Sequence, residues 1–586
     1  MAALRRRPHE ADEGTPAWVA LVCGCLIGLA AALATFPADF LLPRAGEDFA
    51  PIGDAAQHAI AQRYFLASPW SWPLLLIPDL DAPRGTHLAF ADGIPLLALI
   101  LKAGAAWLPA GFHGIGLWYL VAHVLQPPAA IWALRGTGER RLWPAIGIGL
   151  AAVAMPAWLA RYGHAALTGH FLILLAIGWY VRLTDQQGVI RWVGALLTSV
   201  AALLVHPYLA AMVLAVLGAV PLTLLLRRER GWVPAGLGVV ACAGAVAALM
   251  AGLLYLGAAG DGGYGQFAMN LLSPVWPYRS GLLPGLALAE IDATGKGGWE
   301  GYNWLGAGLL ATFCACLLLA PSATLESLRR HAGLLLVLAG LSALALSNRV
   351  GLGARIVLDL GPVPAVLEQF RASGRFFWPV AYAALVGGFA VLARTGRAGP
   401  WLVVGFGALQ VGDSLPIRAD LRAWAHARPA WVIEAAALRP LMAEATFLTL
   451  LPSWPCIAPD DAATFNQVHQ VLALASETAL PVSTMHLARW RERPRCDDAA
   501  LAAAPFRKGE LRLILPASLA LALPLLPEAE ARCSMLGTAM VCRDPAPLAL
   551  PATPPAPAEP APEPAPPAAR SEDAAPPDTG DAASSR

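Results

Sequence analysis

The chain has 586 residues, of which 57% are hydrophobic and only 14% charged, and its net charge is +1. Its mean hydropathy is +0.56, and a soluble chain of this length carries nearer a quarter charged residues. These values exclude a soluble globular protein, and the near-zero charge gives no basis for a nucleic-acid partner.

Long apolar runs recur from residue 16 to about residue 416. They predict a mainly α, polytopic transmembrane bundle, because lipid forces backbone groups to bond within helices. The alternating ten-residue pattern of a membrane β-barrel is absent. Arg5, Arg6 and Arg7 precede the first run and predict a cytoplasmic N-terminus on a retained helix over 16–36. Further spans are expected at 93–110, 114–134, 142–160, 171–183, 190–207, 209–226, 233–256, 304–320, 331–347, 375–393 and 400–416. Arginine-rich connections at 135–141, 182–191, 227–230, 329–330 and 394–397 mark the cytoplasmic side. Twelve spans would return the C-terminal region to the cytoplasm, against the charge pattern. The miscount falls within 93–134, where Pro109, Gly111, Pro127 and Pro128 interrupt the run, so the expected total is 11 or 13.

Three connections on the other side carry the polar residues. The first, 37–92, opens with Glu47 and Asp48 and continues through Asp54, Gln57, His58 and Arg63. Asp54 can cap the helix that follows or act as a carboxylate on a substrate anchored in lipid. Trp70 and Trp72 fit a segment at the membrane interface. Asp92 stands at a helix start, as a cap or a second site carboxylate. His164 and His170 flank a short connection; they are six apart, whereas helical metal pairs prefer four. Each suits a phosphate or hydroxyl, or backbone satisfaction at the interface. His206, before Pro207, breaks an apolar run, a position that often faces a cavity.

The second connection, 257–303, mixes aromatic residues with carboxylates and amides and ends in Glu300, Tyr302 and Asn303. Ring faces and polar forks together suit a sugar. The third, 348–374, carries Arg371, with Arg375 just beyond it. Four residues apart, they would share a helix face and match phosphate oxygens, unless Glu368 or first-loop carboxylates pair with them.

Residues 417–544 are expected to form a small extracytoplasmic α/β domain, with strands near 445–451, 511–515 and 539–542 and a helix over 460–476. Cys456, Cys496, Cys533 and Cys542 fall there, and an even number fits two disulfides outside the cytoplasm. Cys456–Cys496 with Cys533–Cys542 is the simplest of the three pairings. Residues 545–586, nearly all Pro, Ala, Glu, Asp and Ser, read as a disordered tail. Walker A, dinucleotide, His-Glu-x-x-His and Cys-x-x-Cys motifs are all missing.

A long polytopic region, an acidic loop after the first helix and a C-terminal outer domain together resemble the GT-C superfamily of membrane glycosyltransferases. Gly53-Asp54-Ala55-Ala56-Gln57-His58, Phe90-Ala91-Asp92-Gly93-Ile94-Pro95, Gly163-His164-Ala165-Ala166-Leu167, Glu300-Gly301-Tyr302-Asn303 and Gly374-Arg375-Phe376-Phe377-Trp378 are similar to segments of a bacterial family of multi-spanning membrane proteins with GT-C-like architecture. That resemblance spans most of residues 40–540. It divides the chain into a transmembrane region 1–416, an outer domain 417–544 and the tail 545–586. It implies residence in a bacterial inner membrane and inverting transfer of a sugar from a polyprenyl-phosphate donor to a glycan, lipid or protein acceptor. Asp54, or second Asp48, would be the general base. Arg371 and Arg375 would hold phosphate, and Gln57, His58, Asp92, His164, His170, His206, Glu300, Tyr302 and Asn303 would line the substrate site. A divalent cation, Mg or Mn, is a candidate cofactor with no ligand set assigned. The chain lacks the adjacent Asp-Asp or Asp-Glu pair of the best-known members; Glu47-Asp48 is its nearest match. The alternative function is a transporter or flippase of a lipid-linked saccharide, which calls for internal repeats and midplane polar residues.

Overall fold

A computed structural model describes residues 14–43, 53–284, 291–294 and 298–545. Its helices include α1 (Ala17–Thr35), α2 (Gly53–Ala67), α3 (Pro95–Ala103), α4 (Ile115–Gly136), α5 (Leu142–Ala152), α6 (Phe171–Asp185), α7 (Val189–Val205), α8 (Pro207–Leu226), α9 (Trp232–Gly252), α10 (Ala307–Leu319), α11 (Pro321–Arg330), α12 (Ala332–Leu346), α13 (Trp378–Ala393), α14 (Gly399–Asp413) and α15 (Ala462–Ser476), and the helices Leu415–His426 and Ala435–Glu444 lead from α14 into the C-terminal region. Among the described residues six segments are long and apolar enough to cross a membrane: Ala17–Thr35, Ile115–Gly136, Ala165–Asp185, Pro207–Leu226, Trp232–Gly252 and Ser373–Ala393. Counting α10 and α11, bent by 108° at their junction, as one broken span raises this to seven.

This is fewer than the 11–13 expected, for a reason of length. The run 93–110 yields only the nine-residue α3, about 14 Å long at 1.5 Å per residue and far short of a bilayer core. It is no span, and its Lys102 is buried, donating to Phe65 O at 2.7 Å and capping the end of α2. Pro127 and Pro128, expected to interrupt the next run, lie inside a continuous α4. Helices α5, α7 and α12 are apolar but short, at 11, 17 and 15 residues.

Small residues set how these helices pack. Ala20, Gly24, Gly28, Ala32 and Thr35 form the buried stripe of α1. A Cβ on Gly28 would fall 2.2 Å from His123 O, and one on Gly24 2.9 Å from Pro128 N. Backbones therefore meet directly, as small residues allow between helices in lipid. Helix α1 runs antiparallel to α4, with Phe36 beside Tyr119 at its end. Trp118 meets Phe171 at one end of α4 and α6, and Arg182 reaches Trp132 O toward the other, so these two are parallel. Tyr180 bonds Thr223, which places α8 in the same direction. His170 bonds Tyr382 and Arg141 bonds Ala393 O, which adds α13.

The molecule thus has two unlike ends. The starts of α4, α6, α8 and α13 gather where α1 delivers the chain to α2. At the other end Arg135, Arg141, Arg182, Arg227 and Arg394 bond backbone carbonyls of Thr15, Ala393, Trp132, Arg330 and Thr137.

Two small hairpins decorate the first end, β1 (Leu76–Ile77) with β2 (Thr86–His87) and β3 (Arg349–Leu352) with β4 (Arg355–Asp359). Trp70 and Trp72 are exposed there. The C-terminal region folds as a four-stranded sheet, order β5 (Phe447–Leu451), β6 (Glu510–Ile514), β8 (Ala539–Arg543), β7 (Cys533–Leu536). Only β5 and β6 are parallel. Every residue of both is buried, as expected for strands covered on two faces. Cys456 is bonded to Cys496 and Cys533 to Cys542. Helix α15 of this region packs on α2, and Tyr64 Oη donates to Leu480 O across the contact.

Candidate functional site

Asp54 lies in the first turn of α2, at the end where the parallel helices begin. Its Oδ2 is 3.2 Å from His164 Nε2, and the same nitrogen is 3.3 Å from Glu300 Oε1. His164 thus bridges a carboxylate of the first connection and one of the second. It stands just before the α6 segment, and Trp299 lies parallel to its ring at 6.2 Å.

Glu300 is the most heavily paired group in the site. Arg375 Nη2 reaches Oε1 at 2.5 Å and Arg375 Nε reaches Oε2 at 3.0 Å, a two-pronged clasp. Arg161 Nη1 adds a bond to Oε2 at 2.6 Å, and Arg161 Nη2 donates to Trp299 O at 2.7 Å. Only 3% of the Glu300 side chain is accessible. Burial alone would raise its pKa, but Arg375 and Arg161 hold it well below the usual carboxylate range.

Asp92 forms the second wing. It is left-handed at φ 50, a conformation that costs a residue with a Cβ some strain. His206 Nε2 lies 3.6 Å from Asp92 Oδ1, while His206 Nδ1 accepts the Tyr208 N–H at 3.1 Å and caps α8. That acceptor role leaves the proton on Nε2, facing Asp92.

Accessibility separates the three acids. The Asp54 side chain is 36% accessible, Asp92 23% and Glu300 3%, so Asp54 is the carboxylate a substrate reaches most readily. Their charge states separate as well. Burial would raise Asp54, but the charge of His164, ahead of the other histidines, lowers its pKa, and the carboxylate is ionised. Burial raises Asp92, and the Asp54 charge adds to this. One acid is held as a base and its neighbour is pushed toward the protonated form, a division that often marks acid and base roles.

His164 responds to the same field. Burial disfavours its charged ring, but Asp54 and then Glu300 outweigh this, and its pKa is raised. A raised folded pKa gives stability that is complete below the unfolded value, about 6.5, and is lost as pH rises through the folded value. Thermal unfolding of wild type and His164→Gln at several pH values should therefore show the largest gap below about pH 6.5. A gap that grows toward alkaline pH would contradict the ion-pair assignment.

The remaining expected residues divide. His58, one turn beyond Asp54, is fully buried, and neither ring nitrogen has a hydrogen-bond partner among the described residues. Gln57 Nε2 donates to His486 O at 3.0 Å. Tyr302 and Asn303 turn into the scaffold, where Tyr302 Oη donates to Tyr278 O and Asn303 Nδ2 to Gly374 O. His170 bonds Tyr382 Oη at 2.8 Å and lies tilted against Trp378, with no contact to Asp54 among those of the described residues. Arg371 and Arg375 do not share a helix face. Arg371 sits in a bend before the 3₁₀ turn Ser373–Phe377, exposed, its guanidinium over Phe267. Asp48 lies outside the described residues. No three His, Cys, Asp or Glu side chains among the described residues converge to hold a metal ion.

Arg161, His469 and His486 belong to the site without being among the residues the sequence singles out. Arg161 had a signal, an arginine three residues before His164 on the polar side of the bundle. The two histidines had none, since they reach Asp54 from more than 400 residues away and only the fold unites them.

Residues 25–414 match the family described as "Domain of unknown function (DUF6311)", and residues 437–544 match "DUF6311 C-terminal domain". No curated protein matches. Among solved structures the chain is similar to the archaeal oligosaccharyltransferase AglB from Archaeoglobus fulgidus, solved with an inhibitory peptide and a dolichol-phosphate. The match has 14% identity and a TM-score of 0.36, covering 80% of this chain and 64% of that one. A family match over more than half its length shows that the chain belongs to the DUF6311 family.

Proposed function

We propose that the protein is a membrane glycosyltransferase that moves a sugar from a polyprenyl-phosphate donor to an acceptor hydroxyl with inversion. The observation that carries this reading is the accessible, ionised Asp54 held 3.2 Å from His164, beside the starts of α6, α8 and α13. Helix starts carry partial positive charge and favour anions such as phosphate.

In this reading Asp54 takes the proton of the acceptor hydroxyl. The acceptor oxygen forms a bond to the anomeric carbon as the bond from that carbon to the phosphate oxygen breaks. Polyprenyl phosphate departs with the electron pair, its charge met by arginine and helix starts. Glu300 uses two N–H groups of Arg375 and leaves three of the guanidinium's five donors. Arg371 makes no ion pair among the described residues and is the more accessible partner for phosphate. In this reading the arginine-rich end of the bundle faces the cytoplasm, in line with the positive-inside pattern, and the site opens to the outer side of a bacterial inner membrane. Polar groups gathered at that one end favour the enzyme over a transporter, whose site would lie near the midplane.

The test is transfer of labelled sugar from a synthetic polyprenyl-phosphate sugar by the protein in liposomes. Arg371→Ala should weaken binding of polyprenyl phosphate about tenfold, the equivalent of one charge-assisted hydrogen bond. Unchanged affinity would remove Arg371 from the donor site.

A further inference from the structure

The segment 479–490 of the C-terminal region joins that region to the site. On one side it bonds β5, Leu448 N to Pro481 O at 2.8 Å and Ser483 N to Leu448 O at 3.0 Å. On the other it bonds the first connection, Val482 N to Asp79 O at 2.9 Å and Ala82 N to Val482 O at 2.8 Å. Ala488 N then donates to Phe90 O at 2.8 Å, two residues before Asp92, and Trp490 exchanges two bonds with Ala259. With Gln57 fixed on His486 O, both accessible carboxylates are held in register with this one strand-like segment.

The segment also brings an imidazole to Asp54. The His486 ring lies 3.9 Å from Trp454, stacked, and 5.4 Å from His469. Phe465 closes against His469 at 4.5 Å. His58 approaches from α2, its ring 6.4 Å from His164. Both ring nitrogens of His58, both of His469 and Nδ1 of His486 are buried without a hydrogen-bond partner among the described residues. Leaving such groups unmatched costs about 1–3 kcal/mol each. Three imidazoles carrying five such nitrogens around one carboxylate point to a ligand that supplies the partners.

We propose that the C-terminal domain forms the acceptor half of the site, where His486, His469 and His58 bind the hydroxyl groups of an uncharged carbohydrate acceptor beside Asp54. The proposal rests on Asp54 as the base and adds the class of acceptor. A neutral imidazole offers one donor and one acceptor nitrogen, the complement of a sugar hydroxyl. The rings are held neutral, since burial lowers His58 and His469 to about 3 and His486 to about 4. Charge on the acceptor works against the arrangement from either sign. An anion would face Asp54, and a cation would neutralise the base. Trp454 and Phe465 back the imidazoles with apolar ring surface suited to sugar C–H groups.

The experiment uses the full chain in lipid nanodiscs and two binding probes. Saturation-transfer NMR with methyl mannoside and methyl glucoside reads the acceptor half, with methyl glucuronide as the anionic comparison. Binding of polyprenyl phosphate reads the donor half and confirms that each variant is folded. Wild type and Asp54→Asn should bind a neutral glycoside. His486→Ala and His469→Ala should weaken that binding about tenfold or more, about 1.4 kcal/mol, with polyprenyl-phosphate affinity unchanged. His486→Gln, which keeps a donor and an acceptor, should recover part of the loss. Absence of binding by either neutral glycoside, tighter binding of the glucuronide, or an unaltered glycoside affinity in both histidine variants would overturn the proposal. Failure of the base assignment reads differently, as full sugar transfer by Asp54→Asn while glycoside binding keeps its dependence on His486.

Discussion

Replacing Asp54 by Asn is expected to lower the transfer rate by roughly 10²–10⁴, the range of a positioned general base, while the protein still folds. Asn keeps the shape and an oxygen that accepts from His164, so the contact at 3.2 Å survives without its charge. Asp54 is partly accessible and belongs to the first turn of α2, so no core contact is lost. The wild-type pH profile carries a matching signature. Because His164 chiefly holds Asp54 below its ordinary value of 3.8 against the effect of burial, the base is ionised at neutral pH. The acid limb of the rate should fall only below about pH 4. Initial rates and thermal unfolding of both proteins, measured side by side, check this. A full rate in Asp54→Asn would transfer the role of base to another group.

Removing Glu300 is expected to have the largest effect on stability. Glu300→Ala leaves Arg161 and Arg375 facing each other, with side-chain accessibilities of 2% and 10%. Breaking a buried pair by deleting one partner typically costs about 3–5 kcal/mol, and here two cations lose the same anion. His164 also loses one of its two carboxylates. A large fall in unfolding temperature is expected, together with loss of transfer. An unfolding temperature within about a degree of wild type would show that the triad is not a structural unit. Arg161→Ala separates the two roles, because it leaves the Arg375 clasp in place.

What the sequence could reveal followed from local signals. Asp54, His164 and Glu300 were legible because each is a polar residue at the edge of an apolar run, where its cost in lipid demands a purpose. Strand and helix positions in the C-terminal region were legible from periodicity, and β5, β6, β8 and α15 fall on or beside the expected stretches. Spacing misled where backbone conformation changes within a few residues. Arg371 and Arg375 are four apart, yet a bend and a 3₁₀ turn between them send one to the surface and bury the other. The 93–110 run is apolar enough for a span, but Gly104 ends the helix after nine residues. Tyr302 and Asn303 share a segment with Glu300, and only the fold shows that they bond the scaffold while Glu300 meets the arginines. The contribution of His469 and His486 depends on segment 479–490 reaching the first connection, a long-range pairing with no local trace.

Glycosyl transfer at Asp54 is tested by a product analysis in liposomes holding the full chain and a β-linked polyprenyl-phosphate sugar with a neutral glycoside acceptor. Polyprenyl phosphate and an α-linked product, seen by NMR, should be released in equal amounts, and neither with Asp54→Asn. Passage of the intact lipid-linked sugar between leaflets, with the sugar–phosphate bond never broken, would contradict it and identify a transporter.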